Sequence, residues 1–157
     1  MKKKFGVIVF LFLLFGCGFT PVLKNIDNTK IKVKELRISG NITDNTSFLL
    51  KNYLPFNEKN VDGLDILIIL TETFGSIEKD SAGVSIKDNF IINVEMTIKK
   101  NEKILTKDNF SESKEISITL NPEIDNQNKN NERKNILRNI SRKIKFKTLI
   151  ISKNYKW

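Results

Sequence analysis

The chain has no histidine and a single cysteine in its 157 residues. Without imidazole and a second thiol, there are no residues for cysteine–histidine catalysis, a zinc cluster or an internal disulfide. Glycine is also scarce, at seven residues. No G-x-x-x-x-G-K, G-x-G-x-x-G or G-x-S-x-G appears, so a phosphate-cradling loop or a nucleophile elbow is not expected. The acids are scattered singly, with no D-x-D or E-x-x-E cluster in an apolar setting to pair a general acid with a base. An enzyme is therefore not expected: no catalytic residue, no metal site and no cofactor is nominated.

A long hydrophobic run is missing too. Phe5 to Phe15 is apolar throughout but only eleven residues long, against the ~20 that a bilayer-spanning helix needs. Lys2, Lys3 and Lys4 precede it, and Gly16 follows. A charged start, a short apolar run and a small residue at a cut site define a secretory signal peptide, expected over residues 1–16. The lone cysteine, Cys17, sits at that junction. It could be an inert buried thiol, but in an exported chain it cannot form an internal disulfide and most simply serves as an attachment point.

Removing residues 1–16 leaves about 141 residues, enough for one domain with a real core. Net charge falls from +9 to +6 without Lys2–Lys4, and its distribution is uneven. Arg133 to Trp157 carries nine Lys or Arg and no acid, so residues 17–132 net −3. The basic excess belongs to one C-terminal segment. The abundance of Lys, Asn and Ile reads as codon bias, with no bearing on function.

In chain order, residues 17–29 read as a tether without periodicity. Lys30 to Ser39 alternates through Ile31 and Val33, then shifts parity to Leu36 and Ile38, as a half-buried strand with a bulge would. Asp44 or Thr46 is positioned to cap a short helix with Phe48, Leu49, Tyr53 and Leu54 on its apolar side, stopped by Pro55. Leu64–Leu70 is nearly all apolar, like a central covered strand, and runs on toward Ile77. Phe90, Ile92, Val94, Met96 and Ile98 alternate with Ile91, Asn93, Glu95, Thr97 and Lys99, and Lys100–Glu102 makes a tight reversal. Ile104 to Ile118 returns, with an interruption expected near Asp108–Asn109. A polar lead-in, Asp125–Asn131, precedes a helical period from Glu132. Ile136, Leu137, Ile140, Ile144 and Ile151 then share one side, with Phe146 and Ile150 at its edge. Lys134, Arg138, Arg142, Lys145 and Lys153 fall opposite, and the helix is expected to fray toward Tyr155 and Trp157. The fold class expected is α+β: two helices on one face of a roughly four-stranded, mostly antiparallel sheet, in β-α-β-β-β-α order. Residues 30–157 form that single domain.

Two resemblances add to this reading. Leu14 at −3, Gly16 at −1 and Cys17 at +1 resemble the lipobox of bacterial lipoproteins, in which the cysteine takes a diacylglycerol on sulfur and an acyl chain on its new amine. Several acyl chains anchor far more firmly than one. Gly18, in place of the Asp that signals inner-membrane retention in that family, implies the outer membrane, with the domain on its periplasmic side. Cys17-Gly18-Phe19-Thr20-Pro21-Val22 resembles the mature start of the LptE family, the LPS-assembly lipoproteins, in its α-proteobacterial branch. The order of strands, hairpin and last helix is similar across nearly the whole mature chain. Asn101, where members often carry Gly, and the Lys-rich last helix depart from the family pattern.

The resemblance implies a plug and assembly partner for LptD, the outer-membrane β-barrel that delivers lipopolysaccharide to the outer leaflet. Its partners would be that barrel, the membrane itself through acyl chains, and lipopolysaccharide, whose phosphates and carboxylates suit Lys and Arg. The face bearing Lys134, Arg138, Arg142 and Lys145 then has three readings: a solvated surface, docking to acidic barrel residues, or contact with the anionic head group. An alternative is a lipoprotein chaperone or carrier for another outer-membrane component, pilotin-like or lipid-binding. The Phe90–Ile98 strand argues against a pilotin's helical array. No nucleic-acid partner is expected, because the chain is exported and interleaves no aromatic stacking series with its lysines.

Overall fold

The computed structural model describes residues 31–154. The expected signal peptide over 1–16, the tether over 17–29 with Cys17, and the frayed end at Tyr155 and Trp157 lie outside them.

Four strands form one sheet: β1 (Val33–Asn41), β2 (Leu64–Lys79), β3 (Ser85–Lys100) and β4 (Lys103–Ser117). Their spatial order is β1-β2-β3-β4, with β1 parallel to β2 and the other neighbours antiparallel. A parallel neighbour needs a crossover, and α1 (Asp44–Tyr53) supplies it. The chain closes with α2 (Pro122–Asn154). The expected class and element order are both found.

Alternation sets the two faces of the sheet. Ile66, Ile68 and Leu70 of β2 lie opposite Ile98, Met96 and Val94 of β3, and these residues, with Leu64 and Ile92 at the ends of the row, are fully buried or nearly so. Leu50 and Leu54 from the first helical segment, with Ile136, Leu137, Ile140 and Ile144 of α2, close the core over that row. Each such aliphatic contributes roughly 1.5–3 kcal/mol by leaving water. Both helices therefore cover one face. The other face is open: Ile69 of β2 is 37% exposed, and Thr73, Asn93 and Glu95 beside it are exposed. The almost continuous apolarity of Leu64–Leu70 thus does not mark a strand covered on both sides.

The expected bulge in β1 is real, at the register shift between Val33 and Glu35. Beyond it Gly40 has φ +130 and packs so tightly that a Cβ would lie 1.9 Å from the Leu70 carbonyl oxygen. The β3–β4 turn puts Asn101 and Glu102 at φ 47 and 66, the left-handed pair of a type I′ hairpin, where Asn is a natural occupant. No break occurs at Asp108–Asn109. The irregularity in β4 falls earlier, opposite the Ile98/Lys99 step.

Both helices begin differently from expectation. Thr43, before Asp44, caps α1 by accepting from the Thr46 amide at 3.3 Å. Its buried side carries Thr46 and Leu50, whereas Phe48 is 64% exposed. The polar lead-in to α2 is itself helical from Pro122. Asn121 Oδ1 accepts from the amides of Glu123 at 3.1 Å and Ile124 at 3.4 Å, and Pro122 fits the first helical position. Asp125, nearly buried, accepts from Thr119 N at 2.9 Å and Thr119 Oγ1 at 2.8 Å. Capping of this kind outweighs a low-propensity Asn/Gln/Lys stretch, and α2 reaches about 50 Å.

A charged carboxylate lies deep under the helices. Glu72 continues the buried row of β2, and its Oε2 accepts from Arg133 Nε at 3.2 Å and Nη2 at 3.1 Å. Its other oxygen accepts from the hydroxyl of Thr46, a fully buried residue. Side-chain exposures of 8% for Glu72 and 14% for Arg133 mean both charges are largely out of water. The guanidinium also lies 5.4 Å from the centroid of Phe90, which stacks on Phe74 at 4.2 Å.

Breaking such a pair from one side strands a charge. Glu72→Ala and Arg133→Ala should each cost about 3 kcal/mol in urea unfolding, while the double variant costs much less than their sum. Asp125 gives a pH test. The Thr119 amide above all, opposed by partial desolvation, holds its carboxyl below the ordinary value. A depressed folded pKa adds stability above the unfolded value, near 3.9, that is lost as pH falls through the folded one. The melting-temperature gap between wild type and Asp125→Asn should be constant near neutrality and close below about pH 4.

Candidate functional site

Helical spacing sorts the bases of α2 into two sets. Lys129, Arg133, Lys143 and Lys147 turn toward the sheet. Lys129 meets Asp88 at 3.6 Å, Arg133 meets Glu72 at 3.1 Å, Lys147 meets Asp108 at 2.8 Å, and Lys143 pairs with Glu112. Each acid shares its strand's helix-facing parity, as the register shows: Glu72 opposite Ile92, Asp108 opposite Met96, Glu112 opposite Ile92. Two pairs of bases four residues apart, flanking the apolar seam of Ile136 to Ile144, clamp the helix to the sheet. Lys143 also lies 5.6 Å from the Phe110 ring. None of these four was nominated from the sequence. A signal for them existed: a carboxylate at a buried parity, such as Glu72 after Leu70, requires a cation.

The nominated residues form the other set. Lys134, Arg138 and Arg142 are exposed, and Lys145 is half-buried. Arg138 stacks over Tyr53 of α1 at 5.7 Å. Together with Arg142 it lines a shallow hollow of about 360 Å³, whose other walls are Lys114, Glu132, Asn135 and Asn139. The structure thus gathers Arg138 and Arg142 with Lys114, a base from a distant strand that no helical pattern could reveal. Lys134 and Lys145 are not among the lining residues. Burial lowers the Lys145 ammonium from its ordinary pKa, and the like charge of Arg142 adds to the effect.

A larger hollow, about 540 Å³, opens on the bare face of the sheet among Lys34, Glu35, Arg37, Asp65, Lys99 and Glu102. Its charges largely neutralise one another, with Arg37 on Glu35 at 2.6 Å and Lys34 on Asp65 at 4.0 Å. The hollow on α2 has a net positive lining, three bases against Glu132 alone. Among the described residues no group of three His, Cys, Asp or Glu could hold a metal ion. No described helix is long and apolar enough to cross a membrane.

No protein-family model matches the chain, and no curated protein matches it. Solved structures do. The rare lipoprotein B of Shewanella oneidensis superposes with a TM-score of 0.60 at 10% identity, over 78% of this chain and 97% of that one. A minor lipoprotein of Acinetobacter baumannii gives 0.54 at 16% identity, over 74% and 90%. Lipoprotein B of Nitrosomonas europaea gives 0.52 at 8% identity, over 73% and 82%. At such identities the likeness is one of fold, and it spans nearly the full length of each of these structures.

The basic face of α2 makes one measurable claim. The side-chain amine of Lys145 should titrate below the ordinary lysine range by NMR, and Arg142→Ala should move it part of the way back up.

Proposed function

We propose that this chain is an outer-membrane lipoprotein, anchored through acylated Cys17 on the periplasmic side. In this reading it acts as plug and assembly partner of an LptD-type β-barrel that delivers lipopolysaccharide. The observation that carries the reading is the fold, shared over most of its length with three bacterial lipoproteins. The lipobox-like Leu14–Cys17 stretch and the Cys17–Val22 start in the same chain support it. A plug needs a rigid body, a tether at the membrane and a polar surface toward a polar barrel interior. The sheet is braced from both ends of α2, and its open face carries Thr71, Thr73, Asn93, Glu95 and Thr97. No catalytic residue is assigned, and none is required.

Within this reading the hollow formed by Arg138, Arg142 and Lys114 is the docking point for carboxylates of the barrel wall or phosphates of the lipid. These bases have no ion pair with an acid among the described residues, so they meet a partner without first breaking an internal ion pair. An exposed base supplies on-rate and salt dependence more than intrinsic affinity.

A second class of function, a chaperone or carrier for another outer-membrane component, shares the anchor and fold but predicts different company. Extraction of membranes through a C-terminal tag separates the two. Recovery of a large β-barrel at about one to one is expected, and extraction of the lipoprotein alone would sink the plug reading. Charge reversal at both Arg138 and Arg142 should weaken recovery of the barrel, or binding of lipopolysaccharide, by roughly tenfold at low salt and less at high salt. Unchanged recovery and binding at low salt would leave that face a merely solvated one.

A further inference from the structure

The two edges of the sheet are unequal. The first residues of β1 are covered by the loop before β2: Val33 donates to Asn57 O at 3.2 Å, and Lys59 and Asn60 donate back to Lys34 O and Val33 O. At the other edge, no described strand pairs with the outer side of β4, and α2 lies over the face of the sheet. Beyond its one irregularity, β4 pairs regularly with β3 from Thr106 to Ser117. An edge of this length presents a row of unpaired amides and carbonyls, a template for a further strand.

The charges on that edge are arranged about a centre. Lys107, Asp108, Lys114 and Glu115 lie almost evenly on either side of Ser111. Lys107 and Lys114 have no ion pair among the described residues, whereas Asp108 and Glu115 already touch Lys147 and Lys87. Consider a second copy added antiparallel, about a two-fold axis through Ser111. Lys107 then faces Glu115 of the second copy, Asp108 faces Lys114, and Asn109 faces Ser113. Symmetry repeats each pair, so both unpaired lysines gain a carboxylate. Even-numbered residues oppose even-numbered ones, which keeps each pair on one face of the joined sheet. The neighbouring registers do worse. An axis at Phe110 sets Asp108 against Glu112, and an axis at Glu112 leaves Lys107 opposite Ser117 and Asp108 opposite Ile116.

We infer that β4 is a pairing edge for a second copy of this chain, joined antiparallel at Ser111 into a continuous eight-stranded sheet. The inference does not rest on the barrel reading. It concerns the protein before any partner covers that edge.

A cysteine on the axis reports the register. Directly opposed antiparallel residues have Cα atoms about 4.5–5.5 Å apart, within disulfide range. In the full chain, Ser111→Cys should therefore give a disulfide-linked dimer on mild oxidation. Ser113→Cys should give roughly tenfold less, because its own copy would lie about 13 Å along the strand. The parent chain, with Cys17 alone, sets the background. Adding Lys107→Glu to Ser111→Cys should lower the dimer yield several-fold, and adding Glu115→Lys as well should restore it. Equal linkage at the two cysteines would overturn the inference, as would a folded Ser111→Cys chain that stays monomeric. Sedimentation of the full chain without any added cysteine provides a separate check. Self-association there should be weakened by Lys107→Glu and recovered by the charge swap, and a swap that recovers nothing counts equally against the proposed pairing.

Discussion

A carboxylate in the row that the helices cover sets the terms for the whole structure. Glu72 follows Leu64, Ile66, Ile68 and Leu70 on the same face of β2, at a place where an unpartnered charge would be far too costly. Its two oxygens are answered from two different helices, by Thr46 of α1 and Arg133 of α2. One side chain thereby joins the crossover, the central strand and the long terminal helix. Fixing Arg133 also fixes the rotation of α2, and the residues one, two and three turns on, Leu137, Ile140 and Ile144, then fall onto the sheet.

The same pairing changes the meaning of the charge distribution. The sequence looks divided, acidic before Arg133 and strongly basic after it. Much of that division is internal complementarity. Glu72, Asp88, Asp108 and Glu112 supply negative charge to the sheet, and Lys129, Arg133, Lys143 and Lys147 neutralise them across the interface. Lys129, Lys143 and Lys147 sit on exposed or half-exposed stems, and their ion pairs are individually weak. Their value is in register: a helix slipped by one residue would lose all four contacts at once. Lys134, Arg138, Arg142 and Lys145 remain on the outer side, and Lys114 from β4 joins two of them at a basic hollow.

Surfaces, more than cavities, distinguish the molecule. One face of the sheet is bare and largely polar, one edge is unpaired, and the long helix offers bases on the side away from the core. A domain of this kind suits contact with other macromolecular surfaces, and its fold is similar to that of lipoproteins from three bacteria. The free edge of β4 and the basic hollow lie on different sides of the same strand's environment, with Lys114 belonging to both. Occupation of one therefore bears directly on the charge available to the other.

Composition and periodicity by themselves determined the α+β class, the order of elements, the bulge in β1 and the hairpin at Asn101–Glu102. They did so because alternation at two and repetition near 3.6 are local properties of the chain. They also located the apolar seam of α2 from Ile136 to Ile144. What they missed was non-local. The helix begins at Pro122, ten residues before its periodic pattern, because Asn121 and the Asp125–Thr119 contacts cap it where the intervening residues show no preference. Phe48 is exposed and Leu50 buried because the rotation of α1 is settled by Thr46 reaching Glu72. Which bases are spent and which remain available was likewise decided only in three dimensions. An ion pair such as Arg133 with Glu72 joins residues 61 positions apart, and no spacing rule along the chain connects them.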